Sequence, residues 1–184
     1  MGNSGKGSGS HRARKRFGQN FLTDQDIIER IVASINPSDG EAIVEIGPGK
    51  GAITRPLLAA CKHLTVIELD RDLVAMLEKN ATRWVQSGNH FEIISADALQ
   101  YDFRALAEQL GRPLRIVANL PYNISSPLLF HLLTSAQQVQ DMHFMLQREV
   151  VDRLVAPPGS KRYCLLYTSP SPRDATLSRM PSSA

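Results

Sequence analysis

Between Ala118 and Ser125 the chain reads Ala-Asn-Leu-Pro-Tyr-Asn-Ile-Ser, directly after the apolar run Leu114 to Val117. An amide (Asn119), a prolyl turn (Leu120-Pro121) and an aromatic ring (Tyr122) in succession suit the methylation of an aromatic amine. The lone pair of an adenine-type N6 is delocalised into its ring, and acceptors aimed at its two hydrogens localise it toward an incoming methyl group. The side-chain oxygen of Asn119 and a backbone carbonyl near Leu120 or Pro121 can supply those acceptors. Tyr122 offers a face on which a flipped base can stack. Attack on a sulfonium methyl is an in-line displacement with a neutral leaving group, so no strong general base is required and positioning supplies most of the rate.

Upstream, Val44-Glu45-Ile46-Gly47-Pro48-Gly49-Lys50-Gly51 leaves one apolar run and enters a helical pattern that begins near Ile53 and Leu57. Glycines let the backbone fold sharply and let a ligand lie against the main chain, while a helix N-terminus offers free N–H groups. Glu68 closes the next apolar run, at the separation where an acid can accept from ribose hydroxyls, and Asp97 follows the third, where a carboxylate can accept from an exocyclic adenine amine. Each acid alone is more commonly a solvated helix cap than a ligand contact; their joint placement favours an adenosine-containing cofactor. The glycines do not say which. The dinucleotide fingerprint asks for a third glycine where Ala52 stands but tolerates alanine, so NAD stays open until the segment at Asn119, which selects S-adenosylmethionine.

These residues need a scaffold that brings them to one edge. Ala42–Ile46, Leu64–Leu69, Phe91–Ser95, Leu114–Ala118 and Met142–Leu146 read as buried strands, short and apolar. Helical patterns lie between them. Asp72–Arg83 places Leu73, Leu77 and Ala81 on one face, with Trp84 extending it. A further helix opens near Thr23, a candidate cap, with Asp24 and Asp26 at its positive end and Ile27, Ile28, Ile31, Val32 and Ile35 as its apolar stripe; Asn36-Pro37 stops it. Five strands alternating with helices predict an α/β fold with a doubly wound, mostly parallel sheet, because parallel neighbours need crossover connections.

The bulk properties agree. A chain of 184 residues, 42% apolar and 21% charged, suits one globular domain. Two cysteines without metal-ligand spacing call for neither an oxidising compartment nor a metal, and no apolar run approaches the ~20 residues that span a bilayer. A soluble cytoplasmic protein is the expectation. The net charge of +3 is unevenly placed: residues 1–16 carry +5, residues 17–163 carry −3 and the remainder +1. Residues 1–16 thus read as a flexible basic leader, and Arg12, Arg14, Lys15 and Arg16 as candidate contacts to RNA phosphate.

At this point the sequence resembles a known family, the ribosomal RNA adenine N6,N6-dimethyltransferases, and within it the small-subunit (KsgA/RsmA) type. The likeness runs from about Ala13 to Tyr163. It rests on Arg14 to Leu22 (RKRFGQNFL), Glu45 to Gly49, Val66 to Asp70, Asn119 to Ser125 and Met145 to Val150 (MLQREV). The resemblance implies a Rossmann-like class I S-adenosylmethionine-dependent methyltransferase. Asn20, Leu22, Gly47, Glu68, Asp97 and Asn119 would contact the cofactor, and Asn119, Leu120, Pro121 and Tyr122 would hold the target adenine. It further implies two adjacent adenosines near the 3′ end of 16S ribosomal RNA, each dimethylated during ribosome biogenesis, with the pre-30S particle as partner and a monomeric enzyme. Two alternatives share these features: a large-subunit methyltransferase of the macrolide-resistance type, and an assembly factor whose catalysis is incidental. After Tyr163 the likeness stops. Residues 164–184, opening Cys164-Leu165-Leu166-Tyr167-Thr168-Ser169, resemble the translation of a sequencing adapter. The catalytic domain, residues 17–163, is therefore expected to be truncated after its fifth strand and to lack the family's last strands and C-terminal helical domain.

Overall fold

The structure is a computed structural model that describes residues 22–85, 88–157 and 160. The first helix, α1 (Gln25–Ile35), is capped by Asp24 rather than Thr23: the Asp24 carboxylate accepts from the Ile27 N–H at 3.2 Å. A charged cap also gains from the helix dipole, which a threonine does not. Its other end is Asn36, in the left-handed region at φ 47°, with its N–H bonded to Val32. Asparagine tolerates that conformation, and Pro37 prevents further helix.

Strands and helices then alternate: β1 (Ala42–Ile46), α2 (Thr54–Cys61), β2 (His63–Glu68), α3 (Arg71–Trp84), β3 (His90–Ser95), α4 (Phe103–Leu110), β4 (Leu114–Asn119), α5 (Tyr122–Leu133), a single 3-10 turn (Ala136–Gln138), β5 (Val139–Met145) and α6 (Arg148–Leu154). The sheet order is β3-β2-β1-β4-β5 and every pairing is parallel. The fifth strand starts three residues earlier than its apolar run suggests. Gln140 and Asp141 mask its beginning, yet Val139 already pairs with Leu114 and Asp141 with Arg115.

Both faces of the sheet are covered, as a parallel sheet requires. On one face Val44, Ile46, Ile116 and Ala118 pack against Phe103, Leu106, Leu128 and Leu132 of α4 and α5. On the other, Ile43, Leu64, Val66 and Val117 meet Ile35, Leu57, Leu58 and Leu77 of α1, α2 and α3. Each fully buried leucine there contributes roughly 1.5–3 kcal/mol relative to an exposed one. Arg115 is the exception inside this apolar layer. It is buried, and its guanidinium is bonded to both Asp141 oxygens at 3.1 and 3.0 Å, to Glu41 at 2.6 Å and to the Ile35 carbonyl at 2.7 Å. One side chain thus ties the end of α1, the start of β1 and the edge strand β5 together at the sheet's amino end.

The consequence for the site is topological. The helices α2 and α3 that follow β1 and β2 lie on one face, whereas α4 and α5 that follow β3 and β4 lie on the other. The winding reverses between β1 and β4, and a crevice opens at their carboxyl ends.

Candidate active site

Register brings the two singled-out segments together. Ile46 pairs with Ala118, so the residues that follow, Gly47 and Asn119, leave the sheet side by side at the switch point. They open onto a cavity of 720 Å³, within the range that holds a small ligand. Leu22, Gly47, Glu68, Asp97, Asn119, Leu120 and Pro121 all line it. Asn20, Arg12, Arg14, Lys15 and Arg16 lie outside the described residues, as does the side chain of Tyr122, whose backbone begins α5.

The glycine turn is built to leave room. Gly47 sits at φ 65°, a conformation that strains any residue with a Cβ, and its N–H is bonded to the Ile67 carbonyl at 2.9 Å. A Cβ at Gly47 would meet nothing within 4 Å, so the absent side chain faces open cavity. Gly51 is glycine for a different reason. Its φ is 82°, and a Cβ there would fall 2.4 Å from Cη2 of Trp84, so the indole packs directly on the backbone and holds the turn from behind.

Glu68 fastens the same turn from the side. One carboxylate oxygen accepts from the Gly49 N–H at 3.2 Å and the other from the Asp70 N–H at 3.0 Å. A carboxylate has about four lone-pair sites, so both oxygens retain capacity for ligand hydroxyls. Burial pushes the Glu68 carboxyl above its ordinary value, while the Asp70 and Gly49 N–H bonds act the other way. Asp97 accepts from the Leu99 N–H at 2.9 Å and from the Gln100 amide at 3.2 Å, which fixes its carboxylate at the cavity wall after β3.

Across the crevice, the Asn119 to Pro121 turn is anchored at Leu120, whose N–H bonds to the Met145 carbonyl of β5 at 3.2 Å. The Pro121 carbonyl is occupied by the Ser125 hydroxyl at 2.9 Å and the Ile124 N–H at 3.2 Å. The sequence left the backbone acceptor near Leu120 or Pro121, and of these two carbonyls that of Pro121 already accepts twice.

One lining residue escaped the sequence reading. Glu45, in the middle of the motif, is 3% exposed and lies on the cavity floor. Burial, first, and the neighbouring Glu68 charge push its carboxyl up to about 7, against a smaller opposing effect of the nearby Thr54 hydroxyl. That hydroxyl approaches without completing a bond: Glu45 Oε2 and Thr54 Oγ1 are both buried with no hydrogen-bond partner among the described residues. An acid inside an otherwise apolar strand, directly before a glycine turn, was the available signal.

Residues 10–167 match the family described as ribosomal RNA adenine dimethylase. The chain belongs to that family. A relative from Leptothrix cholodnii named "Ribosomal RNA small subunit methyltransferase A" is 57% identical over 153 residues, 83% of this chain and 54% of the relative. The chain therefore spans about half the length of the curated relatives it matches. Among solved structures, a dimethyladenosine transferase from Plasmodium falciparum superposes with TM-score 0.65 at 26% identity, covering 78% of this chain and 49% of that one. The 23S rRNA methyltransferase ErmE superposes with TM-score 0.60 at 26% identity, covering 73% and 51%. The family's fold is thus the Rossmann-like class I methyltransferase fold seen here. No helix among the described residues is long and apolar enough to cross a membrane.

Proposed function

We propose that this chain carries the cofactor-binding and base-binding halves of a methyltransferase that moves methyl groups from S-adenosylmethionine to N6 of two adjacent adenosines in small-subunit ribosomal RNA. The observation that carries this reading is the side-by-side exit of Gly47 and Asn119 at the switch point. A wall without a Cβ on one side of a crevice thereby faces an amide acceptor on the other.

The residues present fit the cofactor. The space at Gly47 accepts a ligand against the backbone. Glu68, already polarised by two N–H bonds, would take ribose hydroxyls, Asp97 the adenine amine, and Leu22 would cover one side; Asn20 would join them. When bound, the cofactor supplies a sulfonium methyl that passes to a nucleophile and leaves a neutral thioether. The protein supplies aim. Asn119 Oδ1 and the Leu120 carbonyl would accept the two N6 hydrogens of the target adenine, and Tyr122 would stack on its ring. One N6 proton leaves with each transfer, and the same two acceptors serve the second transfer on the monomethylated amine less completely.

The substrate assignment draws on the 57% identity to a small-subunit enzyme. The similarity to ErmE at 26% supplies the large-subunit alternative. The basic arm, Arg12, Arg14, Lys15 and Arg16, would follow RNA phosphates at the cleft mouth, with the pre-30S particle as physiological partner and a cytoplasmic monomer as the working form.

Transfer of labelled methyl from S-adenosylmethionine to protein-free small- and large-subunit RNA tests the reading, with binding followed by fluorescence of Trp84, the chain's one tryptophan, which packs on Gly51. Small-subunit labelling that falls about 10²–10³-fold in Asn119→Ala supports it, since loss of one preorganised donor or acceptor has that scale. Labelling of large-subunit RNA alone supports the alternative. A Glu68→Ala form that loses transfer yet still associates with pre-30S particles and rescues their assembly would favour the assembly-factor reading. Binding of NAD in preference to S-adenosylmethionine would overturn the cofactor assignment.

A further inference from the structure

The loop that carries Asp97 hangs from an edge of the sheet. β3 is an edge strand, and the segment from Ala96 to Asp102 that leaves it is tied to the sheet where the Ala96 N–H donates to the Glu68 carbonyl at 3.1 Å. Within the segment the bonds are local. Asp97 accepts from Leu99 and Gln100, and Asp102 caps α4 through the N–H groups of Arg104 and Ala105, each at 3.0 Å. Ala98, Leu99 and Tyr101 pack on the apolar layer under α4 and α5, but apolar contact has no direction and does not fix where a carboxylate points. A directional tie comes from across the crevice. His131, in the last turn of α5, places its Nε2 2.7 Å from the Tyr101 carbonyl oxygen, 30 positions away in sequence.

We infer that His131 is a positioning residue for recognition of the cofactor's adenine: by holding the Tyr101 carbonyl it fixes the loop from which Asp97 reads the exocyclic amine. His131 itself touches neither cofactor nor base. The inference rests on the cofactor reading given above, in which Asp97 takes that amine.

The geometry around the ring supports a fixed strut. A carbonyl oxygen only accepts, so Nε2 carries a hydrogen whether the imidazole is neutral or charged. Phe103, 1% exposed, meets the imidazole edge-on with ring centroids 5.7 Å apart, and Tyr101 meets Phe103 in the same manner at 5.5 Å. The backbone of His131 is held as well, since the Thr134 N–H and hydroxyl both donate to its carbonyl, at 3.1 and 2.6 Å. A partly buried histidine with a satisfied nitrogen most often serves the fold alone. This one is set apart by its partner, a carbonyl four residues from Asp97 in a loop whose residues Ala96 to Leu99 line the cavity. The helix that supplies it is the one into which the Asn119 to Pro121 turn feeds. One element thus begins at the target-base wall and ends bonded to the adenine wall.

Selectivity between two ligands separates this role from a merely structural one. 5′-Methylthioadenosine and 5′-methylthioinosine differ in the exocyclic amine, which is a carbonyl oxygen in the second, and calorimetry on the full chain measures both. The parent should prefer methylthioadenosine by at least about tenfold, the scale of one hydrogen bond to a charged group. His131→Leu fills the space without a donor, and His131→Asn has a donor too short to reach; each should cut the preference about fivefold, the net scale of one lost hydrogen bond, through weaker methylthioadenosine binding, with methylthioinosine within about twofold of the parent. His131→Gln, whose amide nitrogen can take the place of Nε2, should restore it. The Asn and Gln forms decide the matter should the Leu form not fold. An unchanged preference in the Asn form, equal weakening of both ligands, or no restoration by Gln overturns the inference and leaves the cofactor reading standing. A parent chain that binds both ligands equally, or neither, removes the assignment of Asp97 to the adenine amine, and the inference with it.

Discussion

Replacing Glu45 with Gln should stabilise the chain, and by an amount that depends on pH. The carboxyl titrates near 7 in the fold and near 4.5 when unfolded. Its folded value is raised, so its contribution is fully present below about pH 4.5 and is lost as pH rises toward 7, where folding must either retain a proton or bury a charge. With those two values the linkage cost is under about 1 kcal/mol at pH 5 and about 3 kcal/mol at pH 8. Glutamine is isosteric and does not titrate. The change in unfolding free energy on Glu45→Gln should therefore be about 2–3 kcal/mol more favourable at pH 8 than at pH 5. Comparing the two pH values cancels whatever glutamine gains or loses in packing, and Glu68 titrates in both proteins. Urea unfolding followed by Trp84 fluorescence measures it, and for a domain of this size the extra shift in Tm is roughly 5–10 °C. An equal effect at both pH values would show that Glu45 is ionised in the fold throughout and would refute the argument from burial.

Other positions give sharper local expectations. Gly51→Ala must place a Cβ against Trp84 at a positive φ, and should cost roughly 2–4 kcal/mol in denaturant unfolding; Gly47→Ala, with open space at its Cβ, should cost less in stability and more in cofactor affinity. Arg115→Met should lower stability by about 3 kcal/mol, the scale for breaking a buried ion cluster. It should also flatten the acid limb of the stability curve. Burial pushes Glu41 up, but the Ser38 backbone and Arg115 outweigh it and hold it low, so in the parent its contribution is present above about pH 4.5 and fades as pH falls. Changing Arg14, Lys15 and Arg16 together to Ala should weaken RNA binding and flatten its salt dependence by about three phosphate contacts, at roughly 0.7–0.9 in log–log slope each, with S-adenosylmethionine affinity unchanged; an unaltered slope would remove the arm from the interface.

The strands were legible because each is a short apolar run bounded by turn residues, and the alternation with helical periods is enough to demand a parallel sheet. Where a strand carries charge the reading fails locally: Gln140 and Asp141 hid the start of β5, and the pairing of Asp141 with a buried Arg115 has no trace in either segment alone. The site was legible through residue types with a fixed chemical use, Gly47, Glu68, Asp97 and Asn119, all of which now line one cavity. Glu45 was not, because an acid in a motif is read as a ligand contact or a cap, whereas its character here comes from what surrounds it in three dimensions. The same holds for Gly51, whose role depends on Trp84, 33 positions away.

The order of the strands also sets a timetable. The central pairing, β1 with β4, joins Ile46 to Ala118 across 72 residues, and closing a loop of that length costs on the order of 4 kcal/mol of chain entropy before any contact is made. During synthesis the glycine turn, Glu68 and Asp97 leave the translating ribosome well ahead of Asn119. A nascent chain that pauses after β3 therefore holds a lopsided three-strand sheet with one apolar flank of β1 bare and nothing to complete the crevice. Nascent-chain lengths that straddle the emergence of β4 are where protease protection and chaperone release should both change abruptly.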